Sequence, residues 1–570
     1  MPITPIHSNT KLQNIEQHFK VLAGPGAGKT HWLVEHIKNV LHNSNRLGKI
    51  RKVACTTYTN IAVETILKRL GTSVEHVDVS TIHSFLYRHI VKPYANLIAH
   101  EYALNVAKLD GHDELYISYG KVNDWLTTTY QKYLLSSSDN FKIITDALMD
   151  LQWQFDNQRN LILKPRKPWL GKISKNVSIR NSSYIEYRKI YWNEGVIHHD
   201  DVLFFSHQIV ERHPFVLKVL RSKFPYFFID EFQDCNPIQL AILTKIGNEE
   251  TIIGVIGDQA QSIYAFQGAE QGQLHSFNLT NMQEYEIANN KRSTIEIVSF
   301  LNGLRTDIIQ HPDSQRNLFN PQLFIGDLSL CVQRASSICV YEKLNTLSRN
   351  NITSNALKIQ IGAQGLDMYL FDKLSVDGTS ERRNLLSRSV KAIELTRENK
   401  FKDAIKEIRK SFIDEGDSVS KSLKYLSNLL REYDNFKDLT LTNFVDVIRR
   451  LSNKNVARLM RGNAKNFYDT YSYKQLALCV SIPEDMSLHK TIHKSKGDEF
   501  DNVLLVLDSE SDLDFILNPD LVSNEEHRIK YVAVSRAKNR LFISVPTLST
   551  SNRILLASKL DITDCVLNES

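Results

Sequence analysis

The octapeptide Ala23-Gly24-Pro25-Gly26-Ala27-Gly28-Lys29-Thr30 places glycines, a lysine and a hydroxyl in the order a phosphate-binding loop requires. It follows the apolar run Phe19-Lys20-Val21-Leu22 and precedes His31-Trp32-Leu33-Val34-Glu35-His36-Ile37, so the segment reads strand, loop, helix. A glycine-rich turn in that setting can point backbone N–H groups at phosphates, and the following helix adds its positive N-terminal end. Lys29 is spaced to reach β/γ-phosphates and Thr30 to hold Mg²⁺. Ala23 stands where the general pattern has glycine. The contacts expected around a nucleoside triphosphate run from Ala23 through His31.

A second chemical element lies downstream. Tyr226-Phe227-Phe228-Ile229 is an apolar strand ending in the carboxylates Asp230 and Glu231. Asp230 at the strand end suits Mg²⁺, and Glu231 suits orienting and deprotonating a water. An acidic strand end is a weak signal alone and a strong one together with the loop.

These residues need a scaffold. Short runs rich in β-branched and aromatic residues recur at 52–57, 77–82, 226–230, 251–258, 338–341, 502–508 and 541–545. Most lead into polar loops or helical patterns, which predicts α/β architecture with parallel sheets flanked by helices. Ligands of such sheets bind at the carboxyl ends of strands. The stretches around 89–195 and 361–475 break the alternation and read as largely helical insertions; the tail from about Ser549 reads as polar and loosely attached. Net charge is +6, with 42% hydrophobic and 24% charged residues, ordinary for a globular protein and permissive of nucleic-acid binding. The six cysteines form no C-x-x-C pair, and neither a signal pattern nor an apolar membrane-length run occurs, so a cytoplasmic protein away from membranes is expected.

The string Asp230-Glu231-Phe232-Gln233-Asp234 resembles motif II of the UvrD/Rep/PcrA group of superfamily-one DNA helicases, and further segments fall into that family's order. Residues 55–64 (CTTYTNIAVE) resemble motif Ia, 80–85 (STIHSF) motif Ib, and 257–269 (GDQAQSIYAFQGA) motif III. Lys291-Arg292-Ser293 resembles motif IV, 491–500 (TIHKSKGDEF) motif V and 526–537 (EHRIKYVAVSRA) motif VI. The initial Ala23 also resembles the loop form of this group.

The resemblance implies two RecA-like P-loop NTPase lobes with ATP and Mg²⁺ in the cleft between them. The first lobe would be 1–88 with 196–290, carrying insertion 89–195; the second would be 291–360 with 476–570, carrying the reduced insertion 361–475. Lobe one would supply Lys29, Thr30, Asp230, Glu231 and the γ-phosphate-sensing Gln261; lobe two would supply Arg292 and Arg536, whose permanent charge suits a transferring phosphoryl group. Glu499 would lie near the ribose. Gln13 and Gln17 are both candidates for reading adenine. Lys291 replaces the family's adenine-stacking tyrosine, and Gln267 replaces an arginine of motif III. The same resemblance places single-stranded DNA against Tyr58, Tyr264 and Phe266 for stacking, and against Thr59, Asn60, His83, His493 and Lys496 for polar contacts.

Two weaker clusters remain. Residues 164–180 carry six basic residues, no acidic ones and Trp169, which suits a duplex contact or a solvated loop. His198-His199-Asp200-Asp201 has metal-ligand types, but adjacent side chains diverge, which favours a structural role. Two functional readings follow. One is an ATP-driven translocase on single-stranded or tailed duplex DNA, moving 3′→5′ as the family does. The other is a DNA-sensing ATPase switch: the compact chain resembles the helicase subunit of Gabija-type anti-phage systems, which implies an OLD-family (TOPRIM) nuclease partner.

Overall fold

The computed structural model describes residues 3–112, 115, 117–316, 318–360, 366–412, 417–483 and 486–565. The chain folds as two compact units. The first comprises Met1–Ser293, Asn302–Gln315 and Asp520–Arg528; the second comprises Thr294–Leu301, Arg316–Pro519 and Ile529–Ser570.

The first unit is built on strands β1 (Thr4–Pro5), β2 (Phe19–Ala23), β3 (Val53–Thr57), β4 (Val77–Thr81), β5 (Tyr226–Ile229), β6 (Ile252–Gly257) and β7 (Gln283–Ile287). Their order is β1-β7-β2-β6-β5-β3-β4, with every neighbouring pair parallel. Parallel strands need crossovers, and helices α1 (Lys29–Asn43) and α2 (Asn60–Leu70) supply two of them. The central strands β2, β3, β5 and β6 are buried along their whole length, so they read as apolar runs without alternation. Adjacent side chains still leave opposite faces: Phe227 joins a core with Phe85, Phe205 and Ile253, whereas Phe228 joins one with Trp32, Ile37 and Val53.

The segment expected as a helical insertion at 89–195 contains helices but also two antiparallel hairpins, Leu151–Phe155 with Leu161–Pro165, and Lys172–Ser174 with Val177–Ser178. The basic run 164–180 forms much of these hairpins, and Trp169 stands 64% exposed.

The second unit carries β8 (Gln322–Gly326), β9 (Leu344–Ser348), β10 (His489–Thr491), β11 (Phe500–Val506), β12 (Ala537–Val545) and β13 (Asp561–Cys565), ordered β10-β9-β11-β12-β8-β13 and all parallel. Helices Ser380–Arg397, Phe401–Arg409, Ser418–Arg431 and Leu441–Ser452 enclose a separate core that includes Leu386, Ile393, Leu429, Phe436 and Phe444.

Two expectations are corrected. Ile338 and Cys339 end a helix, Leu328–Cys339, instead of opening a strand; Asp327 caps it by accepting from Ser329 N and Leu330 N, and buried Cys331, Ala335 and Cys339 keep helical spacing. The strand lies just beyond, at β9. The described tail, 549–565, is not loose: 550–556 is helical and β13 pairs with β8. No helix among the described residues is long and apolar enough to cross a membrane.

Candidate active site

The phosphate loop bridges β2 and α1 in the first unit. Gly28 is the N-cap of α1 at φ +81°, a left-handed conformation that glycine adopts without a Cβ penalty. Lys29 Nζ donates to Ala23 O at 3.4 Å and Gly24 O at 3.2 Å. Burial lowers the pKa of Lys29, opposed by the carboxylates Asp258, Glu231 and Asp230 and reinforced by Arg292. One half-buried ammonium thus sits among three carboxylates and a guanidinium, all of them in the first unit.

Thr30 Oγ1 donates to Asp230 Oδ2 at 3.1 Å, joining the start of α1 to the end of β5. Burial, then the neighbouring Glu231 charge, raises the Asp230 pKa. Adjacent oxygens about 2.1 Å from an octahedral Mg²⁺ lie about 3 Å apart. A hydroxyl and an under-compensated carboxylate at this spacing fit Mg²⁺.

Glu231 takes φ +53°, ψ 41°, a left-handed conformation unusual for a residue with a side chain. Its Oε2 accepts from Gln233 Nε2 at 2.5 Å, and Gln233 Oε1 accepts from Asp258 N at 3.0 Å. Gln261 Nε2 donates to Asp258 Oδ2 at 2.7 Å. Asp258 also pairs with Arg305 at 3.2 Å, and both side chains are fully buried. Gln233, Asp258 and Arg305 were not singled out by the sequence reading. Asp258, at the carboxyl end of the buried strand β6, was detectable by the strand-end rule; Arg305 carries no local signature.

Arg292 folds with the loop in the first unit, although the resemblance places it on the second lobe. Its backbone N donates to Asn290 Oδ1 at 2.9 Å, and Lys291 N donates to Gly26 O at 2.9 Å. Arg536 belongs to the second unit, where it is buried and its Nε donates to Val532 O at 3.1 Å. Glu499, also there, is exposed and 3.7 Å from Lys538 Nζ. Gln17 Nε2 donates to Asn281 O at 2.9 Å and its Oε1 accepts from Asn14 at 3.2 Å, whereas Gln13 is exposed. His31 Nε2 lies 3.2 Å from Asn9 Oδ1.

The aromatic candidates of the first unit come together. Tyr58 and Tyr264 stack with centroids 4.5 Å apart, and Phe266 lies 5.7 Å from Tyr264. Burial raises both tyrosine pKa values. The Tyr58 hydroxyl donates to Gln267 Oε1. Thr59 caps α2 by accepting from Ala62 N at 3.2 Å, next to exposed Asn60. His83 is held near pKa 3 by burial and by His199 and His112, so its ring is neutral and not a cation. His493 and Lys496 lie in the second unit; Lys496 N donates to His493 O at 3.4 Å.

The quartet His198–Asp201 diverges. His198 caps helix α3 (His199–Arg212), and fully buried Asp201 accepts from the indoles of Trp153 and Trp192, each at 2.9 Å. No cluster of three His, Cys, Asp or Glu side chains suited to a metal ion occurs among the described residues.

Residues 7–281 match the UvrD/REP helicase N-terminal domain. This part of the chain is a UvrD-like helicase domain. The segment spans the phosphate loop, the Asp230–Glu231 pair and the Tyr58–Tyr264 stack. Beyond it, the likeness continues through nearly the whole chain. Gabija protein GajB of Bacillus cereus is 21% identical over 95% of this chain and 93% of its own length. DNA helicase II of Rickettsia typhi is 24% identical over 92% of this chain and 89% of its own. ATP-dependent DNA helicase Rep of Buchnera aphidicola is 21% identical over 92% and 90%.

Proposed function

We propose that this chain hydrolyses ATP to move along single-stranded DNA, 3′→5′, and to open tailed duplexes. The observation that carries the reading is the convergence of Lys29, Thr30, Asp230 and Glu231 on one strand-end site within the helicase domain.

On this reading each side chain has a task. The loop N–H groups and Lys29 bind the triphosphate, and Gln13 or Gln17 reads the adenine. Thr30 and Asp230 hold Mg²⁺, which when bound neutralises phosphate-oxygen charge. Glu231 orients the attacking water and takes its proton, and Gln233 fixes the carboxylate in place. Gln261, tied to Asp258, reports the terminal phosphate to the motif III loop that carries Tyr264 and Phe266. Arg292 and Arg536 offset charge on the transferring phosphoryl group, and Glu499 meets the ribose. Tyr58, Tyr264 and Phe266 stack bases, while Thr59, Asn60, His83, His493 and Lys496 hold the strand's polar edges.

The test is ATP hydrolysis by the purified chain without DNA, with single strands, and with duplexes bearing a 3′ or a 5′ tail. Stimulation by single strands and opening of the 3′-tailed duplex alone are expected. Hydrolysis indifferent to DNA would overturn the translocase reading.

The likeness to Gabija protein GajB favours a second reading, in which the same ATPase senses DNA and gates an OLD-family (TOPRIM) nuclease in anti-phage defence. Adding that nuclease separates the two. A switch changes nuclease turnover with ATP and opens little duplex alone.

A further inference from the structure

We infer that Asn290 and Gln310 are positioning residues that clamp the phosphate loop to the backbone of Arg292. Both side chains are buried, at 0% and 1% exposure, and neither belongs to the loop or to the acidic strand end. Gln310 Nε2 donates to Pro25 O at 2.8 Å, and its Oε1 accepts from Asn290 Nδ2 at 3.3 Å. Asn290 Oδ1 in turn accepts from Arg292 N at 2.9 Å and Ser293 N at 3.1 Å. Asn302 holds the Gln310 backbone through two hydrogen bonds of 2.9 Å. The two amides therefore form a continuous bridge from the loop to the arginine.

The bridge accounts for two loop glycines. A Cβ on Gly24 would sit 2.4 Å from Gln310 Nε2, and one on Gly26 would sit 2.4 Å from Asn290 Oδ1 and 2.8 Å from Arg292 Cβ. It also sets the electrostatics of the loop. In a trans peptide the carbonyl and the next N–H point opposite ways. Drawing the Pro25 carbonyl to Gln310 turns the Gly26 N–H to the loop's other side, where an anion-binding nest needs it. Gly26 O is drawn to Lys291 N in the same manner.

The inference rests on the ATPase reading and divides the labour. Gln310 shapes the nest for ground and transition state alike, so its loss raises KM. Asn290 holds Arg292, whose contribution belongs to the transition state, so its loss lowers kcat.

The experiment measures ATP hydrolysis, binding of a fluorescent ATP analogue and apo-protein Tm for Gln310→Met, Asn290→Ala and the double variant. Gln310→Met is expected to raise KM and the analogue's Kd about 10-fold, the scale of one lost hydrogen bond, with kcat within about 3-fold. Asn290→Ala is expected to lower kcat about 10-fold, and the double variant to fall short of the product of the singles. Unchanged constants, or parallel losses that track a fall in Tm, would overturn the clamp. Should Gln310→Met not fold, Gln310→Glu, which keeps shape and acceptor but not the donor, decides on the same readouts. A wild-type chain without hydrolysis counts against the ATPase reading alone; analogue affinity still judges the clamp.

Discussion

Thr30 Oγ1 and Asp230 Oδ2 stand 3.1 Å apart, one opening α1 and the other closing β5. Each is fixed by backbone: Thr30 by the first turn of its helix, Asp230 by its N–H donating to Thr56 O at 2.9 Å on the neighbouring strand. A metal held by this pair should depend on both oxygens. Asp230→Asn is expected to raise the Mg²⁺ concentration for half-maximal hydrolysis by about 10-fold or more, with Thr30→Val acting in the same direction. A Mg²⁺ titration at saturating ATP checks it; unaltered Mg²⁺ dependence in Asp230→Asn removes the assignment.

Glu231→Gln separates binding from chemistry. The amide keeps the size of the side chain and can still meet Gln233, but it cannot take a proton. Single-turnover hydrolysis should fall by about 10²–10⁴-fold while ATP affinity stays within a few-fold. If Lys29 supplies charge to the phosphates directly, as proposed, Lys29→Ala should lose binding and hydrolysis together.

The Tyr58–Tyr264 stack predicts a DNA phenotype distinct from the nucleotide one. Bases stacked on such rings contribute about 1–3 kcal/mol each, so Tyr264→Ala should raise the half-saturating single-strand concentration by about 5- to 100-fold. Phe266→Ala should show a milder version of the same shift. DNA-stimulated ATPase titrated with oligonucleotide measures both, and a wild-type titration curve for Tyr264→Ala would place the strand elsewhere.

What the sequence disclosed was local chemistry on buried strands. The loop and the Asp230–Glu231 pair are each a continuous stretch of sequence, and β2, β5 and β6 announce themselves because both faces are covered. The edge strand β13 escaped because Asp561-Ile562-Thr563-Asp564-Cys565 is polar and half exposed, as edge strands often are. Residues 338–341 misled because a short apolar run suits a strand and a buried helix end equally. Gln310 meets Pro25 across 285 residues and Arg305 meets Asp258 across 47, while Asn290 joins its near neighbours Arg292 and Ser293 to Gln310, and ordinary amide and arginine side chains carry no spacing to betray them. Asp201 was read within a possible metal quartet, since its two indole partners, Trp153 and Trp192, are brought to it only by the folded insertion.

Asp201 accordingly should matter to stability. It is fully buried and accepts from two indoles and from His198 N, with Arg188 at 3.8 Å. Asp201→Ala leaves these donors buried without an acceptor, which costs about 2–5 kcal/mol. Thermal unfolding should register this as a clear fall in Tm, whereas His199→Ala, at the exposed start of α3, should change it little.

Asp200 gives the pH dependence, with the opposite sign to most carboxylates. Burial pushes its carboxyl from 3.8 up to about 7, assisted by Asp201 and opposed by the Trp153 N–H and by Arg188. The folded chain therefore binds more protons than the unfolded chain between those values. Stability from this group is complete below about pH 4 and is lost as pH rises through 7. The residue is partly exposed, so solvent screening reduces the effect to about 1 kcal/mol. Asp200→Asn can still accept from Trp153 N but cannot ionise. Its Tm should match the wild type near pH 4 and exceed it at pH 8. A difference independent of pH would mean that the Asp200 carboxyl does not titrate in this range.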